Sequence, residues 1–143
     1  MTLVDANVLI YAYNPQAVQH DAARRWLEAA FSGTAPVRLA WASVVAFVRI
    51  MTHPQVFRRP LSLEEAVAIV DSWLAAPAVD VLVTGDQHWA ILRDTLVKGQ
   101  ARAALASDAH LAALAIEYGA VLATTDRDFA RFEGLKTLNP LDL

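Results

Sequence analysis

Residues 107–128 read Ser-Asp-Ala-His-Leu-Ala-Ala-Leu-Ala-Ile-Glu-Tyr-Gly-Ala-Val-Leu-Ala-Thr-Thr-Asp-Arg-Asp. Ser107 is a residue type that caps helices, the apolar spacing after it predicts a helix through Tyr118, and Gly119 supplies the stop. Ala120 to Ala123 then reads as a short apolar strand that runs through Thr124 and Thr125 into Asp126, with Asp128 two residues on. The same alternation extends upstream. Thr2 to Val4 is an apolar run ending at Asp5, and a second run, Val8 to Tyr13, is broken by Asn14-Pro15. Helical spacing covers Val18 to Phe31, up to Gly33; Val37 to Ala40 reads as a strand, and Ser43 to Met51 as a helix closed before His53-Pro54. Ser62 with Glu65 forms a capping box that opens a helix to Ala75. Val79 to Val83 is a strand, and Asp86 to Val97 a helix stopped by Gly99. Downstream, Phe129 to Phe132 fits one helical turn and Leu135 to Leu138 a last short strand. Short apolar strands alternating with amphipathic helices predict βαβ units and a mostly parallel sheet covered on both faces, an α/β fold.

Composition sets the bounds. The chain has 143 residues, 56% hydrophobic and 19% charged, with a formal charge of -3 and a mean hydropathy of +0.33. That is the opposite of a disordered signature and the length of one domain, and no repeat or linker divides residues 1–143. The longest apolar stretch, Leu39 to Val48, is far short of the ~20 residues a membrane span needs. Asp5 interrupts the N-terminal apolar run, which argues against a signal peptide. With no cysteine there is neither a disulfide framework nor a thiolate metal site, in keeping with the cytoplasm. An isoelectric point near 5.7 does not advertise a nucleic-acid binder. The basic residues are nevertheless ten Arg against two Lys, and Arg suits phosphate contact.

The acids fall where chemistry is done in such folds. Ligands of open parallel sheets bind at the carboxyl ends of the strands. Asp5 and Asp126 follow two strands directly, and Asp108 lies in the first turn of the helix before the second of them. If both strands are central and parallel, these carboxylates converge on one rim with Asp128. Two unit charges about 4 Å apart repel by about 4 kcal/mol at an effective dielectric of about 20. Net stabilities are only ~5–15 kcal/mol, so such a cluster needs protons or a cation to relieve it. Mg²⁺ favours carboxylate oxygens, water and substrate phosphate, and so suits the cluster and points to phosphoryl chemistry. Zn²⁺ suits it less, because none of His20, His53, His88 and His110 forms a His pair at metal-ligand spacing. Singly, each acid has a plainer account: Asp108 in a helix dipole, Asp126 or Asp128 as caps. Asp5 fits that account least, since Asp is depleted in strands.

Three segments carry a resemblance. Asp5-Ala6-Asn7-Val8-Leu9-Ile10-Tyr11, Ser107-Asp108-Ala109-His110-Leu111-Ala112 and Thr124-Thr125-Asp126-Arg127-Asp128-Phe129 resemble, in order, the motifs of PIN-domain ribonucleases. The match is nearest the VapC-type toxins of toxin–antitoxin pairs and extends from Asp5 to Asn139-Pro140. The resemblance implies a three-layer α/β/α domain with a central, mostly parallel sheet and an Mg²⁺-dependent endoribonuclease site in which Mn²⁺ can substitute. By position it assigns the metal to Asp5, Asp108 and Asp126, adds Asp128 as a further catalytic acid, and makes Asn7 and Thr124 supporting polar residues. It also implies an RNA substrate, a VapB-type antitoxin covering the acidic rim, a homodimer, and a cytoplasmic location.

One departure stands out. Where the family usually keeps a Glu, in a pattern like Glu-Phe-x-Arg, this chain has Ala46-Phe47-Val48-Arg49, and Ala46 offers no ligand. Ser43 is either a nearby hydroxyl or an ordinary cap. Arg49 and Arg127 are the leading RNA-contact candidates; Arg131 and the Arg58-Arg59 pair could track a backbone or simply face solvent. Trp26, Trp41, Trp73 and Trp89 lie in helical patterns and are read as core rather than as base-stacking residues. A haloacid-dehalogenase-like phosphohydrolase also places Asp after its first strand, but it wants an acid where Asn7 stands. The other alternative is a PIN-like domain with an eroded site that binds RNA or protein without cutting.

Overall fold

The computed structural model describes residues 1–143. Five strands form one sheet: β1 (Thr2–Val4), β2 (Val37–Ala40), β3 (Val79–Leu82), β4 (Val121–Ala123) and β5 (Lys136–Leu138). Their order is β3-β2-β1-β4-β5, and every neighbouring pair is parallel. The connections carry α1 (Ala6–Ala12), α2 (His20–Ser32), α3 (Trp41–Met51), α4 (Leu63–Ala75), α5 (His88–Lys98) and α6 (Leu105–Tyr118).

Strand alternation builds the layers. Val4 and Leu39 point into a core with Val8, Leu9, Leu27, Phe47 and Trp73, contributed by α1 to α4. Leu3, Ala40 and Leu122 point the other way, into a core with Ala109, Ala112 and Ala115 of α6 and with Phe129 and Phe132. Burial on both faces is why β1 and β4 read as short apolar runs, while β2 carries Arg38 among its apolar residues. Alanines on α6 let that helix lie close to the sheet. Trp73, 1% exposed, anchors the opposite core, packing edge-on against Phe47 at 4.6 Å while its indole N–H donates to Tyr13 Oη at 3.0 Å.

The sheet order sets the place of the site. The chain leaves β1 toward β2 on one side, and later returns past it to β4 on the other. The carboxyl ends of β1 and β4 are therefore the topological switch point, where a crevice opens in folds of this kind. Asp5 and Thr124 are the first residues beyond those two strands.

Several boundaries differ from the sequence reading, each for a local reason. The Val8–Tyr13 run is the body of a helix, α1, started by Asp5, whose Oδ1 accepts the Ala6 N–H at 2.7 Å. α6 begins at Leu105, so Ser107 is not its cap; Ala103, at φ 55°, turns the chain so that helical bonding starts three residues earlier. α3 likewise starts at Trp41, which leaves Ser43 buried inside the helix rather than capping it. The Ser62–Glu65 capping box forms as read, and Gly119 closes α6 at φ +64°, a conformation suited to glycine.

Candidate active site

Leu3 and Leu122 are register partners facing α6. Two residues on, the same pleat brings Asp5 and Thr124 together: the Thr124 hydroxyl donates to Asp5 Oδ2 at 2.7 Å. That hydroxyl also accepts the Asp126 N–H at 3.0 Å, and Asp126 Oδ1 accepts the Asp128 N–H at 2.9 Å. Thr124 is 4% exposed, so one buried side chain links the end of β1 to the acidic turn after β4. The plainer roles are realised as well, since Asp5 caps α1 and Asp126 caps the short 3-10 turn Arg127–Arg131.

Electrostatics show the convergence. Burial holds the Asp5 carboxyl above the usual range; the Thr124 and Ala6 hydrogen bonds work against this, and the Asp126 charge adds to it. Asp108, in the first turn of α6, is pushed up to about 6 by burial and then by the charges of Asp126, Asp5 and Asp128, with Arg131 pulling the other way. Carboxylates from three separate segments thus share one field. Arg131 is positioned there by donating to the Gly99 carbonyl at 3.1 Å, which ties the turn after β4 to the loop before α6.

The donor set is of the hard-oxygen kind that suits Mg²⁺ or Mn²⁺. Asn7 Oδ1 is a buried acceptor with no hydrogen-bond partner within the protein, two residues from Asp5. No three His, Asp or Glu side chains stand together as a ready-made metal cage. The acids are neighbours in charge that a cation would draw together. Ala46 is half-buried on α3 and contributes no oxygen.

Other sequence candidates separate. Arg127 and Arg131 are exposed beside the acids. Arg49 is exposed too, but it lies two turns down α3 from the rim, about 12 Å along the axis. Arg58 and Arg59 line a cleft with Tyr13 and Asn14, beyond the far end of α1. The tryptophan reading holds for Trp73 and fails for Trp41 and Trp89, which are 54% and 62% exposed. Helical spacing marks a face without saying whether another layer covers it.

The histidine reading needs a correction as well. His88 Nε2 lies 3.0 Å from His110 Nδ1, because α5 and α6 pack side by side and bring residues distant in sequence together. Glu117 stands 3.6 Å from His88 Nδ1 and accepts the Gly85 N–H at 3.1 Å. The two rings join through their facing nitrogens, so the pair helps fasten α5 to α6. Burial and the neighbouring His88 hold His110 below its usual range.

With this geometry in place, the comparisons with known proteins are direct. The PIN domain family model matches residues 2–135. The chain belongs to the PIN-domain family. Within it the chain groups with the VapC-type ribonucleases: it is 44% identical to ribonuclease VapC37 of Mycobacterium tuberculosis, over 98% of this chain and 97% of that one. Ribonuclease VapC43 of the same species is 38% identical over 99% and 97%. Among solved structures, VapBC2 from Rickettsia felis, bound to a promoter DNA fragment, superposes with a TM-score of 0.71 at 16% identity, covering 96% of this chain and 97% of that one. VapC20 of M. tuberculosis, a sarcin–ricin-loop-cleaving toxin, gives 0.66 at 16% identity over 95% and 99%. These structural likenesses bear on the fold, a three-layer α/β/α sandwich.

The carboxylate field makes stability depend on pH. Folded Asp108 keeps its proton up to about pH 6, whereas an unfolded Asp releases it near 3.8. Between those values the folded form binds the extra proton. The resulting stabilisation is complete below about pH 4 and is lost as pH rises through about 6. His110 acts in the opposite direction, so the clean observable is a difference between variants. The melting temperature of Asp108→Asn minus that of the metal-free wild type should grow from near zero at pH 4 to about 3 °C at pH 7. That corresponds to about 1 kcal/mol after allowance for solvent screening. Mg²⁺ should raise the wild-type value at pH 7.5 and much less at pH 5. A difference that stays flat with pH would mean that the acids do not share a field.

Proposed function

We propose that this chain is an Mg²⁺-dependent endoribonuclease that acts as the toxin of a toxin–antitoxin pair. The observation that carries the reading is the Asp5–Thr124–Asp126 chain at the switch point, with Asp108 facing it and held near 6. Asp5, Asp108 and Asp126 are the residues that would hold the metal, and Asp128 adds charge at the outer side. When bound by these acids, Mg²⁺ would supply Lewis-acid polarisation of a phosphate and a more acidic water. The protein positions the pieces. Thr124 fixes Asp5 and the backbone of Asp126, and Asn7 offers an acceptor for water. Arg127 and Arg131 offset phosphate charge as the RNA approaches a rim of like sign.

The reading takes residues 1–143 as one PIN domain, working in the cytoplasm as a homodimer. Its activity would be held in check by a VapB-type antitoxin laid over the acidic rim. Structural neighbours that are VapBC complexes support the partner, and family membership with ribonuclease relatives supports the substrate. No helix is long and apolar enough to cross a membrane.

Induced expression in a bacterial host without the partner provides the test. Growth should stop within a generation or two, and 5′-end mapping of cellular RNA should reveal discrete new ends. Both effects should be absent for Asp5→Asn. Normal growth and unchanged RNA with folded wild-type protein would favour the binding-only domain that Ala46 suggests.

A further inference from the structure

The acidic rim has two flanks, and only one has been given a role. On the β4 side stand the exposed Arg127 and Arg131. On the β2 side stands Trp41, the first residue of α3. β1 pairs with β2; Asp5 follows the one and Ala40 ends the other, so α1 and α3 start side by side at their carboxyl ends, with Trp41 the first residue of α3. Adjacent strands are about 4.8 Å apart, so α3 begins on the strand end next to the one that carries Asp5.

Trp41 is 54% exposed, in a chain whose Trp73 is 1% exposed. No aromatic ring packs on Trp41, and about half of the residue is open to solvent. It lies one strand over from the carboxylates, opposite the arginine flank. An indole face beside a phosphate-handling centre accepts the π-face of any base, provided that base is not already paired and stacked.

Building on the ribonuclease reading, we propose that Trp41 is the platform on which a base next to the scissile phosphate stacks. Trp41 is a positioning residue: it acts on substrate placement, while the acids act at the phosphate. Trp89 serves as an internal control. It is 62% exposed but lies on α5, an element that carries none of the site's acids.

The test uses the full chain, Mg²⁺, and a labelled RNA hairpin with a mixed-sequence loop, alongside its fully paired duplex. Wild type should cut the loop and spare the duplex. Trp41→Ala should raise KM by about 5- to 150-fold, the range expected for losing one base–aromatic stack, with a smaller change in kcat. Trp41→Phe should restore most of the loss, Trp41→Leu should not, and Trp89→Ala should match wild type. Circular dichroism would establish that each variant is folded.

Unchanged KM in Trp41→Ala, or Leu serving as well as Phe, overturns the proposal. So does equal cutting of loop and duplex by the wild type. A change in oligomeric mass for Trp41→Ala at unchanged KM would assign the indole to an interface between copies instead. Failure of the wild type itself to cut any RNA with Mg²⁺ or Mn²⁺ overturns the underlying ribonuclease reading, and does so before any Trp41 variant is compared.

Discussion

Replacing Asp108 by Asn is expected to lower kcat for RNA cleavage by about 10²–10³-fold, the scale on which a preorganised electrostatic contact acts. The same substitution should make the metal-free protein more stable at neutral pH. Asp108 carries its proton to about 6 because burial and three neighbouring carboxylates oppose its charge. Asn has the same shape and no charge, so it relieves that opposition. The combination of opposite signs is the signature: a residue kept for folding would lose stability along with activity. Steady-state kinetics with a defined RNA and a thermal melt at pH 7.5 in EDTA measure both. A variant that is both less active and less stable would contradict the account, because it would make Asp108 an ordinary helix-start residue.

Thr124→Val tests the other half of the site. The hydroxyl donates to Asp5 Oδ2 and accepts the Asp126 N–H, and the side chain is almost wholly enclosed. Valine fills the same volume and leaves both partners unmatched. A cost of about 1–3 kcal/mol follows, a fall of roughly 3–9 °C in the melting temperature. Activity should fall about 10- to 100-fold, as when a residue supporting a metal ligand is lost. The Thr124 hydrogen bond also holds the Asp5 carboxyl down, so its loss should move the acid limb of the pH–rate profile to higher pH. Thr124→Ser keeps the oxygen and should recover most of the activity. If Ser fares no better than Val, the methyl contact matters more than the hydrogen bonds.

Much of this was legible in the sequence because burial on both faces writes a plain signal. β4 appears as an apolar run, β2 and β3 as mostly apolar stretches interrupted by Arg38 and Asp80, and the acids that follow β1 and β4 mark the carboxyl rim. Register then does the rest, placing Asp5 beside Thr124. Position within a layer was less legible. The Val8–Tyr13 run has no period that separates strand from helix, and only the Asp5 cap settles it as α1. Ser107 looked like a cap, yet the turn at Ala103 starts α6 earlier. Trp41 starts α3 and Trp73 lies in the last turn of α4, and their burial depends on whether another layer covers them, which helical spacing does not display. His88 and His110 meet only because α5 and α6 pack side by side. Arg49 follows a catalytic-looking pattern but sits two turns from the rim, a distance that sequence spacing does not display.

The most direct test of a single acidic, metal-dependent ribonuclease centre is cleavage of total cellular RNA by purified chain, read by 5′-end mapping. The arms are Mg²⁺, EDTA, and Mg²⁺ with Asp108→Asn. The account predicts discrete cuts with Mg²⁺ that disappear in both other arms. Equal cutting in EDTA, or by the Asn variant, would contradict it.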